Sequence, residues 1–102
     1  MKWSKDEMKT FETAVEQWGR AAQWLMVWEE TAELGAKVAQ MLRGRESSRE
    51  DIAEEIADVM IMMGQAAHMI GADEVLAAYS AKIDRLNKRL SRPTEAAAKG
   101  EV

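Results

Sequence analysis

Residues 29–58 read EETAELGAKVAQMLRGRESSREDIAEEIAD: two acidic signatures in helix-forming sequence, separated by one glycine-containing turn. The first signature is Glu29-Glu30-x-x-Glu33; the second, Glu54-Glu55-x-x-Asp58, starts twenty-one residues after Glu33. At about 100° per residue, positions three apart share a helix face, so Glu30 projects with Glu33, and Glu55 with Asp58. Like charges four apart, here Glu29 with Glu33 and Glu54 with Asp58, weaken a helix by about 0.2–0.5 kcal/mol per pair. A chain that accepts this cost twice is expected to place something positive among the acids.

Gly44 in Arg43-Gly44-Arg45 marks the turn, so the flanking helices are antiparallel neighbours. Pairing Glu33 with Glu55 centres the hairpin on Gly44, and pairing Glu30 with Asp58 centres it there again. All four carboxylates therefore come to one level if their faces meet. Oxygen-only ligands suit a hard cation, Mg²⁺ or Mn²⁺, rather than Zn²⁺. The competing reading is a solvated, Glu-rich helix surface whose ion pairs contribute little. Against it, neither Glu30 nor Asp58 has a cation three or four residues away, and Asp58 leads into Val-Met-Ile-Met-Met, where an unpaired charge is costly. Glu29 and Glu54 lie at the edge of the same faces, open to binding metal, holding a water or being solvated, with Glu29 ranked first. Asp51 shares the face of Glu55, but a capping role accounts for it equally well.

Working outward, Ser4-x-x-Glu7 has the form of a capping box and predicts a first helix to about Trp18, with Phe11, Val15 and Trp18 on one face. A second helix is expected from Arg20 to about Leu42. A third starts at Ser47 or Ser48, both of which precede an acid by three residues, and ends near Gly71. Asp73 is read as the cap of a fourth helix to about Leu90, with Val75, Tyr79, Ile83, Leu86 and Leu90 as its apolar stripe. Residues 1–92 then form one helical domain, and 93–102 are expected to be a disordered tail. Between Ile56 and Ile70 apolar residues occur all round the third helix, and such a helix is normally buried on every side. Four helices in so short a chain barely enclose one of their number, so the surplus face, including Met60, Met63 and Ala67, is expected to meet another subunit.

Composition agrees. The 102 residues are 47% hydrophobic with a single Pro, which bounds the chain to one small, helix-rich domain. A net charge of −4 argues against non-specific nucleic-acid binding. The absence of Cys excludes disulfides, thiolate metal sites and cysteine nucleophiles. The opening Met-Lys-Trp-Ser-Lys-Asp-Glu lacks the apolar stretch of a secretory signal, and no run is long enough for a membrane span; a cytoplasmic setting without a membrane partner is expected. His68 is the only histidine, with no Glu three residues before it, which disfavours a ferritin-like di-iron site.

The combined pattern resembles the MazG-like, all-α nucleoside triphosphate pyrophosphatases, whose hallmark is Glu-Glu-x-x-Glu followed after a variable gap by Glu-x-x-Asp. The resemblance runs through Trp18-Gly19, Gln23, Glu29 to Leu34, Arg43-Gly44-Arg45, Ala53 to Val59 and Lys82 to Leu90. It covers roughly residues 11 to 90 and is nearest the short single-domain proteins of phage and prophage type. It implies a helical bundle forming a homodimer or dimer of dimers, and hydrolysis of an NTP or dNTP, common or modified, to the monophosphate and pyrophosphate. It further implies Mg²⁺ held by Glu30, Glu33, Glu55 and Asp58, with Glu29 as the residue that orients or deprotonates the attacking water. Lys82 and Arg85, with Arg89 behind them, would contact phosphate; the family's Asn four residues after this Lys is Leu86 here, with Asn87 beside it. Lys37 either contacts phosphate or pairs with Glu33 as an ordinary i,i+4 partner. Gln23 is a candidate to read a base edge, and Trp18, Trp24 and Trp28 either stack on a base or fill core and interface. A reading from a different class is a non-catalytic helical oligomer, a regulatory or adaptor protein whose acidic face binds a basic partner.

Overall fold

A computed structural model of the chain describes residues 2–45 and 48–92. Four helices follow one another: α1 Lys5–Trp18, α2 Arg20–Leu42, α3 Arg49–Ile70 and α4 Ala72–Ser91. Among the described residues there is no strand, and no helix is long and apolar enough to cross a membrane. Ser47, the alternative cap of α3, and the tail from Pro93 lie outside the described residues.

The helix ends follow from local chemistry. At α1 the Ser4 Oγ accepts from the Glu7 N–H at 3.0 Å, and Glu7 Oε1 accepts from the Ser4 N–H at 2.8 Å, closing the capping box. Ser48 and Asp51 repeat this at α3, at 3.0 Å and 3.4 Å, so Asp51 acts as a cap partner. The α2 C-terminus is a Schellman turn: the Gly44 N–H donates to the Met41 carbonyl and the Arg45 N–H to the Gln40 carbonyl. Gly44 stands at φ 73°, where a side chain is strained, so this position favours glycine. One expected cap is corrected. Helix α4 starts at Ala72 with Gly71 as its N-cap, and Asp73 lies inside the first turn with Glu74. There both acids face the positive end of the helix dipole instead of bonding an orphan amide.

Helix α3 is the hub, packing against α1, α2 and α4. Its buried residues Met62, Gly64, Gln65, Ala67 and Met69 meet Phe11 and Val15 of α1 and Gln23 of α2. The Phe11 ring lies against Gly64, where a Cβ would collide with it, and Trp3 packs edge-on to the same ring with centroids 6.2 Å apart. Arg20 ties the start of α2 to the end of α3, its Nη2 donating to the Met69 carbonyl at 2.8 Å. That contact satisfies a carbonyl in the last turn of α3, which also carries the negative end of the helix dipole.

Much apolar surface stays open. Met60 is 52% exposed, Ile56, Ile61 and Ile70 are exposed as well, and α4 has no buried residue despite its apolar stripe. The radius of gyration is 16.3 Å, against about 13 Å for a compact domain of this length. Two expectations change in detail. Ala67 lines the same apolar groove as Met60 and Met63 but is only 2% exposed, so it is already covered within the single chain. Trp18 is 60% exposed although Phe11 and Val15 are buried; it borders open clefts beside Ile61, Met62 and Gln65 of α3.

The Phe11–Gly64 contact predicts that Gly64→Ala lowers stability by about 1–3 kcal/mol through overpacking, despite a gain of roughly 1 kcal/mol in helix propensity. Urea unfolding at fixed protein concentration measures this, and a stabilised variant would contradict the packing described.

Candidate functional site

The α2–α3 hairpin works as a ladder centred on Gly44. Counting outward from Gly44 sets Lys37 level with Asp51, Glu33 with Glu55, Glu30 with Asp58, Met26 with Met62, and Gln23 with Gln65; Glu30 and Asp58 do come together, and the last two pairs line one cleft. The seven-residue steps from Gln23 to Glu30 to Lys37 and from Asp51 to Asp58 to Gln65 keep these positions near one seam. Facing helices joined by so short a turn have little freedom to slip, so the turn fixes which side chains meet.

On this ladder one ligand oxygen each from Glu30, Glu55 and Asp58 lie within 4.8 Å of one another. Glu30 and Glu55 are half-buried and Asp58 is exposed, which leaves the cluster open on one side. Glu30 Oε2 and Glu55 Oε2 are themselves buried and accept no hydrogen bond. Burial pushes the Glu30 carboxyl above its ordinary value, the charges of Glu33, Asp58 and Glu55 push it further, and a hydrogen bond with Glu33 adds to the rise. The Glu55 carboxyl is raised by burial, then by Glu33 and Asp58, with Lys37 opposing and Glu54 adding.

The expected ligands are thus divided. Glu30, Glu55 and Asp58 come together, while Glu33 is exposed and outside the three-oxygen cluster, although it is the strongest charge acting on both raised carboxyls. Glu29 is exposed and lines a neighbouring cleft, and Glu54 faces solvent. Lys37 is half-buried and its charge reaches Glu55. Lys82 and Arg85 are exposed on α4, Arg89 is half-buried, and the strongest influences on Glu30 and Glu55 all come from α2 and α3.

The donor set fits a hard divalent cation. All three ligands are carboxylate oxygens, and two of the carboxylates keep a buried oxygen without a partner. Oxygens across an octahedral Mg²⁺ stand about 4.2 Å apart, close to the spread of this cluster. Three clustered carboxylates with one nearby Lys make this end of the hairpin strongly negative, a setting suited to a cation.

Beside the cluster lies a cleft of about 580 Å³, bounded by Trp18, Gln23, Met26 and Glu29 from the α1–α2 side and by Met62 and Gln65 from α3. Gln23 is buried within it. Gln65 was not legible as a site residue. Its signal is an amide inside the apolar run Met60-Ile-Met-Met-Gly, on the rung opposite Gln23. Trp24 and Trp28 are exposed on α2 and do not bound this cleft.

Comparison with models of protein families, with curated proteins and with solved structures gives no match for this chain.

The raised carboxyls set the sign of a pH effect. In metal-free buffer the folded chain holds protons on Glu30 and Glu55 at pH values where the unfolded chain has released them. Stability therefore falls as pH rises from 4.5, the ordinary value, through the raised values. The Glu30→Gln/Glu55→Gln double variant should be more stable than the parent near neutrality and lose this slope. Urea midpoints with EDTA across that window provide the check, and an unchanged slope would contradict the arrangement.

Proposed function

We propose that the chain is a Mg²⁺-dependent nucleoside triphosphate pyrophosphohydrolase of MazG-like type, which cleaves an NTP or dNTP between the α and β phosphates to give monophosphate and pyrophosphate. The observation that carries this reading is the trio Glu30, Glu55 and Asp58, with two buried carboxylate oxygens that lack partners. Isolated surface acids turn to solvent; these turn into a seam where a charge is costly without a counter-ion.

Within this reading Glu30, Glu55 and Asp58 hold the ion, and Glu33, hydrogen-bonded to Glu30, completes or orients the set. Bound Mg²⁺ or Mn²⁺ supplies charge neutralisation for the triphosphate and lowers the pKa of a water. Glu29, which lines the cleft, would orient or deprotonate the attacking water. Lys37 moderates the local negative charge. The phosphate contacts fall to Lys82, Arg85 and Arg89 of α4, from the same chain or from a second copy.

The homodimer or dimer of dimers belongs to the same reading. Its support is the open apolar side of α3 and α4, where Trp3, Ile56, Met60, Met63, Ile70 and Tyr79 border a groove with almost no polar lining. A second copy covering this groove would complete the burial that an all-round apolar α3 calls for. The adaptor reading has weaker support, since a face built to bind a basic protein would present its acids outward, whereas Glu30 and Glu55 are half-buried.

Purified protein with Mg²⁺ and a panel of common and modified nucleotides should release pyrophosphate. Glu55→Gln or Asp58→Asn should lower turnover by about a hundredfold or more, since the ion's role is worth several kcal/mol. If no nucleotide is turned over by the parent protein, the enzyme reading fails.

A further inference from the structure

Gln65 is 5% exposed, and its Oε1 is buried with no hydrogen-bond donor. Gln23, equally buried at 5%, stands on the opposite rung of the α2–α3 ladder and borders the same cleft. No hydrogen bond from Gln23 reaches Gln65 Oε1. An unmade bond of this kind costs about 1–3 kcal/mol, and a pair of apolar residues would fill the space without it. The two amides lie seven residues from the acids on each helix, Gln23 before Glu30 and Gln65 after Asp58. That spacing places the amide rung about 10 Å from the acid rung along the seam. The Met26–Met62 rung lies between them, an apolar wall, and the exposed Trp18 stands at the rim of the cleft.

We infer that Gln23 and Gln65 form the base-reading end of the proposed nucleotide site, taking the hydrogen-bonding edge of a nucleobase with an N–H of the base donated to Gln65 Oε1. This rests on the nucleotide reading above and extends it from the phosphates to the base. Three features converge on it. An amide offers one donor and one acceptor side by side, the complement of a nucleobase edge. The separation of the two rungs suits a ligand with an anionic end and a planar polar end. The Met pair and Trp18 provide apolar and aromatic surface for the ring faces between. A phosphate or a bare metal complex would have no use for a buried acceptor two turns away from the acids.

The test compares Mg²⁺-dependent binding of nucleoside monophosphates of each base with that of two probes lacking a base, ribose 5-phosphate and inorganic tripolyphosphate. Measurements use the full chain and two volume-conserving variants, Gln65→Met and Gln23→Met, each checked for an unchanged helical signal. The parent protein should prefer its best nucleotide over ribose 5-phosphate and over the other bases, and either variant should shrink those preferences about tenfold or more. Tripolyphosphate binding should stay at the parent level, because it engages only the acid rung. If a folded variant keeps the parent's preferences, the base-reading role is overturned while the nucleotide reading stands. If the parent protein binds neither nucleotides nor tripolyphosphate with Mg²⁺, both fall together. If only one variant folds, that one decides.

Discussion

The register of the α2–α3 hairpin is the constraint on which the rest depends. A Schellman turn with Gly44 at φ 73° ends α2, and the Ser48–Asp51 capping box starts α3 a few residues later. Together they leave the two helices one way to pair. Every layer of the site follows from that choice: a Lys–Asp rung near the turn, two rungs of acids, a rung of methionines and a rung of amides. An insertion of one residue within α2 between Glu33 and Gly44 would rotate the acids of α2 by about 100° against those of α3 and scatter the carboxylates. Burial and like-charge repulsion inside the hairpin, which together raise the Glu30 and Glu55 carboxyls, are offset by hydrophobic packing further along α3.

That packing is lopsided. Phe11 on Gly64, Val15, Met62, Ala67 and Met69 make a small core on one side of α3, and Arg20 pins its far end through the Met69 carbonyl. The other side of α3 and the stripe of α4 remain uncovered. The acids and amides thus sit on the side that the single chain builds for itself, and the open apolar groove lies on the other.

Most of the helical frame was legible because it is written in local signals. The capping box at Ser4 and the glycine breaks at Gly19, Gly44 and Gly71 mark ends that side chains elsewhere do not alter. The convergence of Glu30, Glu55 and Asp58 was legible for a different reason, since a short turn makes antiparallel register a matter of counting. What escaped depended on side-chain surroundings. Asp73 has the right type for a cap, but Gly71 ends one helix and begins the next, which moves the start of α4 forward. Trp18 shares a face with Phe11 and Val15, yet periodicity does not tell which residues of a face the partner helix covers. Gln65 looked like one polar residue in an apolar run, and only its burial with an unpartnered oxygen makes it a candidate. The α4 cations were carried over by resemblance rather than by counting, and α4 packs on the hub without bringing Lys82, Arg85 or Arg89 among the main charges acting on the acids.

The central claim is that the hairpin register makes Glu30, Glu55 and Asp58 one cation site. Titration of the full chain with Mn²⁺, followed by electron paramagnetic resonance, tests it directly, with Glu55→Gln and the α1 control Glu12→Gln measured alongside. The account predicts saturable binding that Mg²⁺ displaces, that survives Glu12→Gln and that is lost or strongly weakened in Glu55→Gln. Mn²⁺ binding that is non-saturable, or equal in Glu55→Gln and the control, would contradict it.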